Sequence, residues 1–449
     1  MFNRVLIANR GEVALRIIQA CRELGVETVA VHSTADKDSP HLEQADIAVC
    51  IGPGPSKDSY LNMEAILSSA LNTDCQAVHP GFGFMAENSL FAYMCEQQKL
   101  TFIGPSANSI RLMGNKSLAK QTLKNAGLPT IPGSDGNIKG IGQAQKLANK
   151  LGYPILLKAT AGGGGKGIRI CNSDDDIEKF FPQASIEAEK AFGNAALYLE
   201  KMILHGHHIE FQILADSFGN VIHLGERECS IQRNNQKLIE ESPSPAVPPE
   251  LRDKMGKRAA KAAQNVGYLS AGTVEFLMDS DKNLYFMEMN TRLQVEHPVT
   301  EMLTGVDIVQ EQLRIAANHK LSVRQRDVEF NGHAIECRIN AEDPENDFLP
   351  SPGTITKFNP PLDAGPGKVR LDTHVREGYK IPTFYDSMIC KLIAWGKDRD
   401  EAIVTMRNAL QEFIIEGIKT TIPLHLQILE SRQFNDGEYN TSSLKEIMK

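Results

Sequence analysis

Eight consecutive residues, Thr160-Ala161-Gly162-Gly163-Gly164-Gly165-Lys166-Gly167, carry the sharpest chemical signal in the chain. Glycines without side chains let successive backbone N–H groups converge on phosphate oxygens. A P-loop needs a glycine five places before its Gly-Lys pair and Ser or Thr after it; Thr160 and Gly167 stand there instead. Apolar segments, Pro154 to Ala159 and Gly167 to Cys171, bracket the run, so it reads as the tip of a hairpin suited to closing over a nucleotide. A flexible linker, the rival reading, is rarely bracketed by two apolar strands. Lys158 sits on the first of those strands, where an ammonium calls for an anionic partner. Lys116 opens a helix, whose positive end already favours anions.

A second constellation is made of carboxylates. Gly272 to Leu277 and Leu284 to Asn290 read as two strands joined by the turn Asp279 to Asn283. Glu275 and Glu288 then stand on neighbouring strands, and Asn290 shares a face with Glu288 because side chains alternate. Two carboxylates and an amide oxygen make a hard-oxygen site for Mg²⁺, with nucleotide phosphates completing its shell. Directly after, Arg292, Gln294 and Glu296 alternate onto one side if the chain stays extended. A guanidinium, an amide and a carboxylate so grouped suit a small anion and a general base. His297-Pro298 reads as the turn that ends this strand. The histidines 205, 207 and 208 do not read as a metal cluster, since neighbouring strand positions face opposite ways.

The elements that must position these groups fall into three lobes of an α/β (in part α+β) chain. Residues 1–113 alternate strand and helix. Val5 to Ala8, Val26 to Val31, Ala45 to Cys50, Ala77 to His79 and Thr101 to Ile103 are strands. Ala14, Leu15, Ile17, Ile18 and Cys21 mark a helix between the first two. That order implies a doubly wound parallel sheet. Its first turn, Asn9-Arg10-Gly11-Glu12, lacks the Gly-x-Gly-x-x-Gly of dinucleotide sites, which excludes that class. Residues 114–330 hold the glycine loop, within a lid subdomain of about 131–203, and the carboxylate hairpin. Asp174 to Asp176 begin a helix over Ile177 to Phe181. Residues 331–449 open with the period-two strand His333 to Ile339 and close with an amphipathic helix marked by Ile403, Met406, Leu410, Phe413 and Ile414.

The chain has 449 residues, 41% hydrophobic and 23% charged, with a formal net charge of −8, as in a soluble multi-lobed enzyme. The acidic balance argues against nucleic-acid or anionic-membrane partners. No run reaches the roughly 20 apolar residues of a membrane span, and Met1 to Ala8 reads as a strand, not a signal peptide. The eight cysteines form no Cys-x-x-Cys pair and suit buried thiols in a reducing cytoplasm.

With these motifs in place, the chain resembles the biotin carboxylases of the ATP-grasp superfamily, essentially end to end. The resemblance is carried by Ala8-Asn9-Arg10-Gly11-Glu12, by His79-Pro80-Gly81-Phe82-Gly83-Phe84 and by the glycine loop. Glu288 to Pro298 and Glu336-Cys337-Arg338-Ile339-Asn340-Ala341-Glu342-Asp343-Pro344 add to it. It implies that Lys116, Lys158, Gly163, Gly164 and Gly165 hold ATP phosphates. Glu200, Lys201, Ile203 and Leu277 would meet adenine, with His208, Gln232 and Asn235 near the nucleotide. Glu275, Glu288 and Asn290 would bind Mg²⁺ or Mn²⁺, two ions in all. Lys237, Arg292, Gln294 and Val295 would cradle bicarbonate, and Glu296 would deprotonate it for attack on the γ-phosphoryl group. The carboxyphosphate so formed yields CO₂ and a phosphate that takes the biotin N1′ proton, while Arg338 steadies the enolate and Phe82 lies near biotin.

The resemblance also implies a homodimer in the cytoplasm, serving acetyl-CoA carboxylase, malonyl-CoA formation and fatty acid synthesis with carboxyltransferase subunits. No Met-Lys-Met site is present, so biotin would arrive on a separate carrier protein, and a chain ending at Lys449 favours a free-standing subunit. Two departures stand out: Asn235 replaces a histidine that commonly touches the nucleotide, and Phe82 replaces a frequent tyrosine. Other readings are a different ATP-grasp ligase, a related acyl-CoA or pyruvate carboxylase module, and a silent ATP-binding scaffold.

Overall fold

The computed structural model describes residues 1–160 and 168–449; Gly163, Gly164 and Gly165 therefore lie outside the described residues. The first sheet is wholly parallel, in the order β3-β2-β1-β4-β5, with β1 (Arg4–Ile7), β2 (Glu27–Ser33), β3 (Ile47–Gly52), β4 (Ala77–His79) and β5 (Thr101–Phe102). The chain leaves β1 toward one edge and returns through β4 toward the other. The doubly wound reading holds, with its switch point between β1 and β4. There the Asn9 amide donates to the carbonyls of Pro80 and Phe82, both at 2.7 Å. Arg10 is locked on Asp36, which also accepts from Tyr60, so the Asn-Arg-Gly motif clamps the turns. Ala14, Ile17, Ile18 and Cys21 are buried as the spacing requires, while Leu15 is only half-buried. Seven of the eight free cysteines are buried; Cys50 is exposed because β3 is an edge strand.

The chain forms two compact units. One gathers residues 1–127, 207–276 and 288–449; the other holds 128–206 with 277–287, a partition that cuts across the linear three-lobe reading. In the smaller unit β6 (Ile155–Ala159) lies between β7 (Ile168–Cys171) and β8 (Leu197–Lys201), antiparallel to both. Because Lys158 pairs with Ile168, the strands flanking the glycine run are hairpin neighbours. The helix begun by the aspartates is longer than its apolar pattern suggested, Asp174–Phe192, and Ser173 caps it by accepting from the Asp176 N–H.

The larger unit is built on an eight-stranded sheet, ordered β13-β12-β9-β10-β11-β14-β19-β18. Its strands are β9 (His207–Ala215), β10 (Val221–Arg233), β11 (Gln236–Ser242), β12 (Ser270–Met278), β13 (Leu284–Asn290), β14 (His333–Asn340), β18 (Lys368–Thr373) and β19 (Met388–Gly396). Short pairs β15 (Glu342–Asp343) with β16 (Leu349–Pro350), and β17 (Lys357–Asn359) with β20 (Ile414–Glu416), complete the strands. Asn234 and Asn235 form the two-residue turn between β10 and β11, with φ of 49° and 67°. Asparagine tolerates that left-handed pair of angles, which explains the Asn-Asn dipeptide as hairpin chemistry.

The period-two reading of residues 333–339 has a physical outcome. Ile335, Cys337 and Ile339 enter an apolar core with Ile403, Met406 and Leu410. Glu336 and Arg338 face the other way, where register sets Glu240 opposite Glu336 and Lys391 opposite both Arg338 and Asp372. One sheet face is thus an oil core and the other a buried ladder of charge. The closing helix is Arg399–Glu412, so Phe413 and Ile414 fall beyond it. The β-branched Ile414 and Ile415 pair instead with β17, and three short helices follow.

Glu241, fully buried on β11, accepts from His333 Nε2 at 2.5 Å, from Arg399 at 2.8 and 2.9 Å, and from the Tyr439 hydroxyl. Burial pushes its pKa up, but His333 and Arg399 outweigh that and hold it at about 2, below the ordinary 4.5. A depressed carboxyl pKa stabilises the fold above the unfolded value, and that contribution disappears as pH falls through the folded one. The difference corresponds to roughly 3 kcal/mol. Glu241→Gln should therefore lower stability by about that amount at pH 7 and by much less near pH 2. Urea unfolding at the two pH values checks it; equal losses at both would remove the charge from the explanation.

Candidate active site

Lys237 is the hub of the site. It stands on β11, two residues past the Asn-Asn turn, and its ammonium donates to Glu210 at 2.6 Å, Glu296 at 2.5 Å and Glu275 at 3.2 Å. Burial opposes its charge, but those three carboxylates raise its pKa well above the ordinary lysine value. Behind it, the fully buried Arg227 donates to Glu210 at 2.5 Å, Gln212 at 2.8 Å, Thr300 at 3.0 Å and Thr273 at 3.2 Å. Glu296 gives its second oxygen to Arg338 at 2.8 Å, and Arg338 also donates to Glu240 at 2.7 Å. Burial raises the Glu296 pKa, yet Lys237, Arg338 and Arg227 hold it well below the carboxylate range.

Glu275 faces the same cluster. It accepts from Asn290 at 2.7 Å and Gln294 at 3.3 Å, and lies 3.2 Å from His208 Nε2. Burial lowers the His208 pKa, but Glu275 outweighs it and the net direction is up. Three cations (Lys237, Arg227, Arg338) thus meet four carboxylates (Glu210, Glu240, Glu275, Glu296). The acid excess and the clustering of His208, Glu210 and Glu275 ligand atoms within 4.8 Å of one another fit a hard divalent cation at Glu275.

The rest of the expected metal set is arranged differently. Glu288 is half-exposed and pairs with Lys116 at 3.0 Å, and among the described residues it shares no ion-pair partner with Glu275. Asn290 turns its amide N–H to Glu275 and its oxygen to Arg292, at 3.2 Å, so the amide must turn over to offer oxygen to a cation.

The segment after β13 is a correction. Residues 291–296 form no strand, and His297-Pro298 begins the helix His297–Thr304 instead of ending one, because proline suits a first helical turn. Alternation therefore does not group Arg292, Gln294 and Glu296; side-chain bonds do. Arg292 donates to Gln294 and Glu87, each at 2.9 Å, while Gln294 reaches Glu275 and Glu296 reaches Lys237. Strand alternation does hold for the histidines: His207 faces Glu228 and His208 faces Glu275. Gln232 contacts His208 at 3.0 Å and the Cys229 carbonyl at 2.6 Å. Asn235 is exposed at its turn, and Phe82 packs half-buried against the first-lobe core.

In the smaller unit, Lys158 pairs with the buried Glu200 at 2.6 Å. The Lys201 ammonium donates to the carbonyls of Gly152 and Tyr153, and its backbone N–H donates to the Pro132 carbonyl. A Cβ on Gly206 would come within 2.9 Å of Leu277 and 3.1 Å of Ile203, so these two apolar chains close around that glycine.

Sequence reading missed Glu87, Glu210, Arg227 and Glu240. For Glu210 a signal existed: His208, Glu210 and Gln212 alternate with the apolar Ile209, Phe211 and Ile213. Glu87 had none, as it reaches Arg292 across 205 positions.

A parallel first lobe, a hairpin-borne glycine run and a buried acid–cation hub define an ATP-grasp ligase. Residues 1–110 match the biotin carboxylase N-terminal domain, 115–324 the ATP-binding domain of the carbamoyl-phosphate synthase L chain, and 336–446 the biotin carboxylase C-terminal domain. Biotin carboxylase 1 of Bacillus subtilis is 56% identical over 99% of this chain and 98% of its own. Two solved structures superpose on nearly the whole chain. The biotin carboxylase domain of a thermophilic 2-oxoglutarate carboxylase, bound to bicarbonate, has a TM-score of 0.94 at 50% identity, covering 99% and 98% of the two chains. A biotin carboxylase–β,γ-ATP complex from Campylobacter jejuni has 0.92 at 48%, covering 99% of each. The chain belongs to the biotin carboxylase family and is an ATP-dependent ligase.

Proposed function

We propose that this enzyme uses ATP to activate bicarbonate and carboxylates biotin carried on a separate protein. One observation carries the reading: Glu296 is held between Lys237 and Arg338, beside the Glu275 cluster. Glu275 and Glu288, with Asn290 turned over, would hold Mg²⁺ or Mn²⁺, in one or two ions, which neutralises triphosphate charge. Lys116, Lys158 and the glycine loop 162–165 serve the phosphates. Glu200, Lys201, Ile203 and Leu277 serve adenine, with His208, Gln232 and Asn235 nearby.

Bicarbonate binds on Lys237, Arg292, Gln294 and Val295. One of its oxygens attacks the γ-phosphorus as the bond to ADP breaks, and Glu296 takes the proton. Alone, Glu296 is a weak base, because two cations already favour its charged form. Bicarbonate arriving on Lys237 shares that cation and returns basicity to Glu296 when it is needed. The carboxyphosphate C–O bond then breaks to CO₂ and phosphate, phosphate takes the N1′ proton, and N1′ bonds to CO₂ while Arg338 steadies the enolate and Phe82 lies near the ring. Fixed cations in a closed site stabilise the transferred charge and keep water from the intermediate.

The enzyme works as a homodimer in the cytoplasm. It is the first half-reaction of acetyl-CoA carboxylase, with carboxyltransferase subunits completing malonyl-CoA formation for fatty acid synthesis. Among the described residues no helix is long and apolar enough to cross a membrane. ATP hydrolysis with bicarbonate, measured with and without free biotin, tests the reading. Stimulation by biotin is expected; identical rates in both arms rule the carboxylase out in favour of another ligase or a silent scaffold.

A further inference from the structure

Residues 291–296 have neither helix nor strand to shape them, so their geometry depends on what their polar groups are tied to. Thr291 and Arg292 hold Glu87, Gln294 holds Glu275, and Glu296 holds Lys237 and Arg338. Val295 has no polar side chain, and its carbonyl accepts from the Lys391 ammonium at 2.9 Å. The preceding carbonyl, that of Gln294, meets His297 Nδ1 at 2.8 Å. Burial and the surrounding Lys391, Arg16 and Arg370 keep His297 neutral, so Nδ1 carries its single proton as donor.

Lys391 lies on β19 with no exposed surface, and its charge is answered by Glu12 at 3.2 Å and Asp372 at 3.6 Å. Burying an ammonium in the charged face of the sheet is costly unless its partners are fixed. A neutral donor would satisfy a carbonyl as well, so this costly choice marks a contact that must be stiff as well as satisfied.

We propose that Lys391 is a positioning residue for bicarbonate: by holding the Val295 carbonyl it fixes the backbone between Arg292 and Glu296, so that guanidinium and base meet the anion without rearrangement. The inference rests on the carboxylase reading above. A purely structural Lys391, there only to neutralise Glu12 and Asp372, is the competing account.

Two variants of the full chain separate them: Lys391→Met, and Lys391→Met combined with Glu12→Gln. The second removes one positive and one negative charge together, so the buried charge balance is kept while the bond to Val295 is still lost. Thermal midpoints and the KM values for bicarbonate and ATP are measured in bicarbonate-dependent ATP hydrolysis. The bicarbonate KM should rise about tenfold in both variants, with the ATP KM within about twofold. A folded double variant with an unchanged bicarbonate KM, or with both KM values raised alike, overturns the proposal. Failure of the carboxylase reading shows elsewhere, as absent bicarbonate dependence in the unsubstituted chain.

Discussion

Replacing Lys237 by methionine should lower bicarbonate-dependent ATP hydrolysis by about 10³-fold and destabilise the fold by about 3–5 kcal/mol. The two effects share one cause. Glu210, Glu275 and Glu296 all pair with this one ammonium, at 2.6, 3.2 and 2.5 Å. Among the described residues Arg227 still neutralises Glu210, while Glu275 keeps His208 and its amide donors, and Glu296 keeps Arg338 and the field of Arg227. Carboxylates left close together in a buried site take up protons, so the proposed base, Glu296, would enter the reaction already protonated. The bicarbonate proposed to bind on Lys237 would also lose that cation. Steady-state hydrolysis with and without bicarbonate gives the rate, and urea unfolding gives the stability. A folded Lys237→Met protein retaining more than about a tenth of the rate would take Lys237 out of the mechanism.

The parts of this site legible in the sequence are those whose chemistry is local. The parallel first lobe followed from alternating strand and helix, and residues 333–339 announced their two faces through Ile335, Cys337 and Ile339 against Glu336 and Arg338. The pair Glu275 and Glu288 was visible as carboxylates on a hairpin, but their partners were not. Which lysine answers which glutamate depends on strand order, and β11 with Lys237 reaches Glu275 on β12 only through the β9–β10 pair between them. The extended reading of Arg292 to Glu296 failed for a different reason. Proline at position 298 reads equally as a strand's end or a helix's first turn, and burial of His297 under the charged face decides for the helix. Asn235, where a histidine is common, has a φ of 67° that suits the turn it occupies.

Arg338 offers the cleanest separation of binding from chemistry, because its two partners belong to different tasks. One arm engages Glu296, the proposed base; the other engages Glu240, which register sets opposite the fully buried Glu336. Arg338→Met should cut the biotin-stimulated rate by about 10²-fold, the scale of losing one charge-stabilising donor. The ATP KM should stay within about threefold, since the partners Arg338 shows among the described residues, Glu240 and Glu296, are not those proposed for the nucleotide. The same change strands Glu240 next to Glu336, and a lower thermal midpoint is expected from that pair alone. Arg338→Lys distinguishes charge from geometry. A lysine restores one positive charge but not the two-armed fork, so it should recover most of the stability and little of the rate. Full recovery of rate by lysine would reduce Arg338 to a counter-ion. A large rise in ATP KM with biotin stimulation intact would place it with the nucleotide instead.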